Sequence, residues 1–250
     1  MLTSTRGLLA ASLFALPAFA ALPAAAQDVT DPPSEIEISG NVALTSDYRF
    51  RGVSLSNGDP AIQGGIDVAH ESGIYVGTWA SSIEGGPSFG EMELDLYAGW
   101  SGDVADGVGL DVGILYYLYP TENIDANVNY WEPYASISGS LGPAEAELGI
   151  AYAWDQDSLG GDNLYVYTDF STGVPNTPIS LNAHIGYTDG VLAPPILAGT
   201  TDDTGFDYSI GASATFFGKL EASVAYVAVD GPEVDGLTDD TVVATLSMSF

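Results

Sequence analysis

The 250-residue chain has no cysteine, so neither a disulfide nor a thiolate nucleophile contributes to it. Basic residues are nearly as scarce: four Lys and Arg stand against 34 Asp and Glu, for a formal net charge of −30. Nucleic acid is thereby excluded as a partner, because phosphate binding needs a basic patch. There are two histidines, His70 and His184, and no G-x-S-x-G, zinc spacing or phosphate loop. No catalytic residue, cofactor or metal site is therefore expected. Charge of either sign is thin, at 15% of residues against 46% hydrophobic, yet no apolar run after residue 26 approaches the ~20 residues a spanning helix needs. A soluble chain this poor in charge is unusual; a β-barrel that turns apolar side chains to lipid accounts for it.

The N-terminus is of another character. Arg6 is followed by an apolar stretch over residues 7–19, broken by Pro17 and Pro23, and then by the small residues Ala24, Ala25 and Ala26. A positive n-region, a short apolar h-region and an A-x-A site describe a secretory signal peptide over residues 1–26, cut before Gln27. A short polar linker covers 27–35, and the barrel is expected over 36–250. After cleavage Arg49, Arg51 and Lys219 are the basic residues left.

From Ile36 onward the chain is a succession of alternating segments of barrel-strand length, ~9–11 residues. Twelve are expected, near 36–48, 60–70, 73–83, 91–101, 108–119, 129–141, 143–154, 162–172, 178–188, 205–217, 219–229 and 240–250. In the last, Val242, Ala244, Leu246, Met248 and Phe250 share one face, and Thr241, Val243, Thr245, Ser247 and Ser249 share the other, mostly polar one. The third segment is ambiguous, since Trp79 has the parity opposite Ile74 and Val76. Connectors alternate between short and long, as periplasmic turns and external loops do. The expected fold is an all-β, transmembrane, antiparallel up-and-down barrel of twelve strands. Aromatics fall at segment ends: Tyr48, Tyr117, Tyr119, Tyr130, Trp131, Tyr152, Trp154, Tyr165, Tyr187 and Tyr208 toward one rim, and Tyr75, Trp100, Phe170, Phe216 and Phe250 toward the other. Two lipid-interface girdles are expected from them, in approximate form, because not every rim aromatic has lipid-facing parity.

The stretch 39–81, SGNVALTSDYRFRGVSLSNGDPAIQGGIDVAHESGIYVGTWAS, resembles the opening of the TorF family of porins, and ELDLYAGW at 93–100 resembles that family's next block. The resemblance covers about a quarter of the chain. It implies a proteobacterial outer-membrane barrel with a transport role.

Inward parity collects acidic side chains among small neighbours: Asp47, Asp67, Glu91, Glu93, Asp95, Asp111, Glu145, Glu147, Asp169 and Asp207. Rings of carboxylates make pores cation-selective. With too few bases to neutralise them, a water-filled, cation-preferring lumen is expected, and converting Glu93 and Asp95 to amides should weaken that preference. Asp47, Arg49 and Arg51 share parity at the outer end of the first strand, either as a selectivity eyelet or, the favoured reading, as a local ladder pinning the first loop to acids such as Asp47 or Asp59. His184 is read as a hydrogen-bonded lumen wall residue. The terminal Phe250 is expected to serve membrane assembly.

The function expected is passive diffusion of small polar or cationic solutes through an outer-membrane channel. The partners expected are outer-membrane lipid, lipopolysaccharide and the barrel assembly machinery, and association into a homo-oligomer is left open. Two alternatives stand beside it: a structural or adhesive barrel with a closed lumen, and a secreted soluble β-sandwich binding module.

Overall fold

The computed structural model describes residues 35–121 and 127–250. The expected signal peptide, 1–26, and all but the last residue of the linker lie outside the described residues. The elements are β1 (Ile36–Thr45), β2 (Arg49–Phe50), β3 (Val53–Ser54), β4 (Ala61–His70), β5 (Ile74–Ser82), α1 (Gly86–Phe89), β6 (Met92–Ala105), β7 (Val108–Leu118), β8 (Tyr130–Leu141), β9 (Ala144–Gln156), β10 (Gly161–Gly173), β11 (Ile179–Gly190), α2 (Pro194–Leu197), β12 (Thr204–Phe216), β13 (Leu220–Val229) and β14 (Thr241–Ser249). The short β2 and β3 pair only with each other. The other twelve strands close into one barrel, each antiparallel to its neighbours in sequence order, with β14 returning to β1. A closed single sheet replaces the sandwich alternative.

The faces are inverted relative to a soluble protein. Along β14, Val242, Leu246 and Met248 are exposed while Thr245 and Ser247 are buried; along β6, Leu96 is exposed while Glu93 and Asp95 are buried. A two-residue side-chain period forces this separation once one parity faces inward. Greasy residues outside and carboxylates inside are stable only where the outer surface meets hydrocarbon. Trp79, ambiguous in sequence, faces inward at 5% exposure, and Ile74 and Val76 face outward.

The barrel closes at the β1–β14 seam, in register from Asn41↔Ser249 to Thr45↔Thr245. Phe250 extends it: Gly40 N–H donates to Phe250 O, and Phe250 N–H to Gly40 O, both at 2.9 Å. Thr245 Oγ1 donates to Thr45 Oγ1 at 2.9 Å on the inner side. No backbone edge is left for lipid to meet. The short turns lie at one end, as at Gly142, whose φ of 67° suits a tight turn that a side chain would strain. The longer connections gather at the other end.

One expectation needs correction. Of the aromatics assigned to the rim beside the long loops, Trp131, Tyr152, Trp154 and Tyr208 are exposed, but Tyr48, Tyr117, Tyr119, Tyr130 and Tyr165 are buried inside the barrel. Tyr75, assigned to the other girdle, also turns its hydroxyl to the lumen. Position along a strand says how near the rim a residue lies; parity says which side of the wall it is on. At the β7–β8 pair both happen at once: Tyr116 stacks on Trp131 outside, and Tyr117 stacks on Tyr130 inside, with centroids 4.2 and 4.4 Å apart.

Candidate functional site: a lumen filled along one side

The first long connection, residues 46–60, folds down into the barrel. Tyr48, Arg49, Arg51 and Val53 are all buried within it. Asp47 organises the loop by accepting hydrogen bonds from Ser54 Oγ at 2.6 Å, Ser56 Oγ at 3.0 Å and Arg49 Nε. Arg49 then ties it to the last long connection, donating to the carbonyls of Leu237 (3.2 Å) and Asp239 (2.9 Å) and to Asp239 Oδ1 (3.2 Å). Arg51 sits at the tip with φ 49°, followed by Gly52 at φ 79°, a left-handed pair that turns the chain inside the lumen. Its guanidinium reaches the far wall, with Nη2 2.7 Å from Glu132 Oε2, and lies over the rings of Phe50 (4.6 Å) and Tyr165 (4.3 Å). Burial alone would lower its pKa, but the Glu132 carboxylate outweighs that and the net direction is upward.

Around the loop, on the β4–β10 side, tyrosine hydroxyls meet carboxylates. Tyr48 and Tyr119 donate to the two oxygens of Glu93 at 2.6 and 3.1 Å. Burial first, and the Glu93 charge second, push both loop phenols well above their usual range, so each remains a donor. Tyr97 donates to Asp67, Tyr75 to Asp111 at 2.7 Å, Tyr117 to Glu132 at 3.0 Å and Tyr167 to Glu147 at 3.0 Å. The tyrosines fit because glycines lie opposite: a Cβ on Gly77 would fall on the Tyr97 ring, and one on Gly113 on the Tyr134 ring. Asp67, Glu93, Asp111 and Glu147, which lack basic partners, thus each accept from a neutral phenol.

The opposite wall, β11 to β14 and β1, carries small residues inside. A cavity of about 50 Å³ lies against it, lined by Ser209, Ser223, Ala225 and Thr245, by Asp169, His184 and Asp207, and by Asp47 and Arg49 from the loop. A site of that size holds a few waters. His184 is clamped there: Nδ1 lies 2.7 Å from Asp169 Oδ1, and Nε2 lies 2.9 Å from both Asp207 Oδ1 and the Tyr165 hydroxyl.

The candidate residues separate accordingly. Asp47, Arg49, Asp169 and Asp207 come together at the cavity. Asp67, Glu93, Asp111 and Glu147 sit under tyrosine hydroxyls, and Asp95 is fully buried without a hydrogen-bond partner among the described residues. Glu91 precedes β6 and is exposed, with its backbone N–H donating to Thr121 Oγ1 at 2.8 Å; Glu145 is exposed near a short turn and accepts from Ser140 Oγ at 2.7 Å. Arg49 finds Asp47 as expected of a ladder, whereas Arg51 bonds to distant Glu132 rather than to a neighbour. Glu132 escaped the sequence reading although its parity with Tyr130 and Tyr134 carried the signal. Of the tyrosine partners, Tyr48, Tyr75, Tyr117 and Tyr119 were assigned to the girdles for the reason given above, whereas Tyr97 shares the inward parity of Glu93 and Asp95.

A profile of the family described as "Bacterial protein of unknown function (Gcw_chp)" matches residues 29–250. The chain belongs to the Gcw_chp family. No curated protein matches it. Among solved structures, the Gcw_chp barrel is similar to the NanC porin, with 9% identity over 86% of this chain and 99% of that one and a TM-score of 0.56. It is also similar to the COG4313 outer membrane channel from Pseudomonas putida F1, with 12% identity over 88% and 98% of the two chains and a TM-score of 0.53. At these identities the likeness is one of fold: the Gcw_chp chain has the closed-barrel fold of outer-membrane porins. The family shown is Gcw_chp, and the TorF resemblance rests on 39–81 and 93–100 alone.

Proposed function

We propose that this protein is an outer-membrane channel for passive diffusion of small polar solutes, with a preference for cations. The observation that carries this reading is the cavity along the small-residue wall, inside a barrel whose outer face is apolar. A lumen meant only to be solid would fill that wall as it fills the other, since close packing is the default of a protein interior. Lumen carboxylates supply the negative potential, and the charge balance of the chain gives it one sign. The signal peptide would deliver the chain for export, Phe250 would serve recognition by the assembly machinery, and the acidic long loops would face lipopolysaccharide and its bridging cations.

Planar-bilayer recording tests the reading. Purified, heat-modifiable protein should give discrete steps and a reversal potential of cation-selective sign across a KCl gradient; a folded sample that gives no steps overturns it. One observation favours a second reading, a closed barrel whose external loops do the work. Loop 46–60 and the tyrosines pack much of the lumen beside the long loops. Silence in the bilayer from folded protein is what that reading requires.

A further inference from the structure

The lumen acids are not equivalent. Glu93, Asp67, Asp111 and Glu147 each accept from a tyrosine hydroxyl, and Glu132 accepts from both Arg51 and Tyr117. Asp95 has no hydrogen-bond partner among the described residues but is wholly buried and does not line the cavity. Asp169 differs on every count: it lines the cavity, its side chain is 25% exposed, and its hydrogen bond is to His184. Beside it, two buried acceptors on the lining lack a donor among the described residues, Asp207 Oδ2 and Asn182 Oδ1. Hydroxyls of Ser209, Ser223 and Thr245 supply further oxygens on the same lining.

The charge arithmetic gives the ligand's class. Both ring nitrogens of His184 face carboxylate oxygens, at 2.7 and 2.9 Å, and a ring protonated on both nitrogens satisfies both. On the lining, the imidazolium then offsets one of Asp169 and Asp207, while Arg49 is paired with Asp47 and also with Asp239, which lies outside the lining. One negative charge and a surplus of oxygen acceptors remain, with room for little more than an ion and a few waters.

We infer that solutes are selected at one place, the cleft between loop 46–60 and the Asp169–His184–Asp207 triad on β10, β11 and β12, and that this cleft binds a small monovalent cation. The inference rests on the channel reading and names its selectivity site. It moves the weight from the Glu93–Asp95 pair, which phenols and burial shield, to Asp169.

Reversal potentials across a KCl gradient test it, with K⁺ as the probe. Asp169→Asn should lower the cation-to-anion permeability ratio about threefold or more, Asp169→Glu should retain it, and Glu93→Gln should lower it clearly less than Asp169→Asn does. A second variant, Ser223→Lys, places a fixed ammonium in the same cleft and should cut both K⁺ conductance and cation preference. If Asp169→Asn fails to fold by heat-modifiable migration, Ser223→Lys decides the matter alone. An unchanged ratio in the folded variants, or an equal loss in Glu93→Gln, overturns the site while leaving the channel standing. A folded wild type without conductance overturns the channel itself, and the site with it.

Discussion

Arg51 Nη2 donates to Glu132 Oε2 at 2.7 Å, joining the tip of the first long loop to strand β8 inside the barrel. Both side chains are about 4% exposed, so this is a buried ion pair across the lumen rather than a surface contact. Geometry of this kind holds a loop in one place, because either partner alone would be a charge stranded away from water.

Arg51→Met should therefore destabilise the barrel by roughly 3–5 kcal/mol, the usual cost of leaving one buried partner alone, and Arg51→Met with Glu132→Leu should recover much of that loss. Urea unfolding in detergent, followed by tryptophan fluorescence, measures both. In the bilayer, the single substitution should raise mean conductance as the loop loosens. Equal stability of single and double variants would show that the pair is not coupled.

Gly77 lies opposite Tyr97, and any Cβ placed there would fall on that ring. Gly77→Val should cost about 1–3 kcal/mol through overpacking and displace the Tyr97 hydroxyl from Asp67. Tyr97→Phe is the companion: it keeps the ring over the glycine and removes the donor, and because Asp67 is only half-buried its loss should fall at or below the low end of the ~1–3 kcal/mol of an unmet buried acceptor. The unfolding midpoints of the two variants check both values.

Phe250 exchanges two backbone hydrogen bonds with Gly40, and its ring lies against the glycine's bare α-carbon. Phe250→Ser, and more so deletion of Phe250, should lower the yield of folded barrel in the outer membrane. Gly40→Val should do likewise by displacing the ring. Heat-modifiable migration of membrane fractions reports the folded yield, and normal assembly of the deletion would remove the seam's last residue from the account.

Leu246 and Ser247 are adjacent but face opposite media. Leu246→Arg places a charge toward hydrocarbon and should cost about 2–4 kcal/mol if the site is near the midplane. Ser247→Arg points into an acidic lumen and should cost less, while lowering cation preference. Folding midpoints in lipid vesicles compare the two, and the reverse ranking would mean that the outward face is not the lipid face.

Strand number, strand spans within a few residues and the apolar and acidic faces of most strands were legible in the sequence, because a two-residue period is local and needs no knowledge of neighbours. The inward placement of Glu93, Asp95, Asp111 and Asp207 followed from parity in the same way. What fills the lumen did not follow. That Arg51 would cross to Glu132, that Tyr48 and Tyr119 would meet on Glu93, and that His184 would bridge Asp169 and Asp207 each join residues far apart in sequence. Closure of the sheet sets which walls face each other and how far a loop must reach between them, and those distances have no local signature in the chain. Alternation, with the scarcity of charge and the connector lengths, thus pointed to a barrel with an acidic interior; only the closed structure decided which of its acids are covered by phenols and which line the cavity.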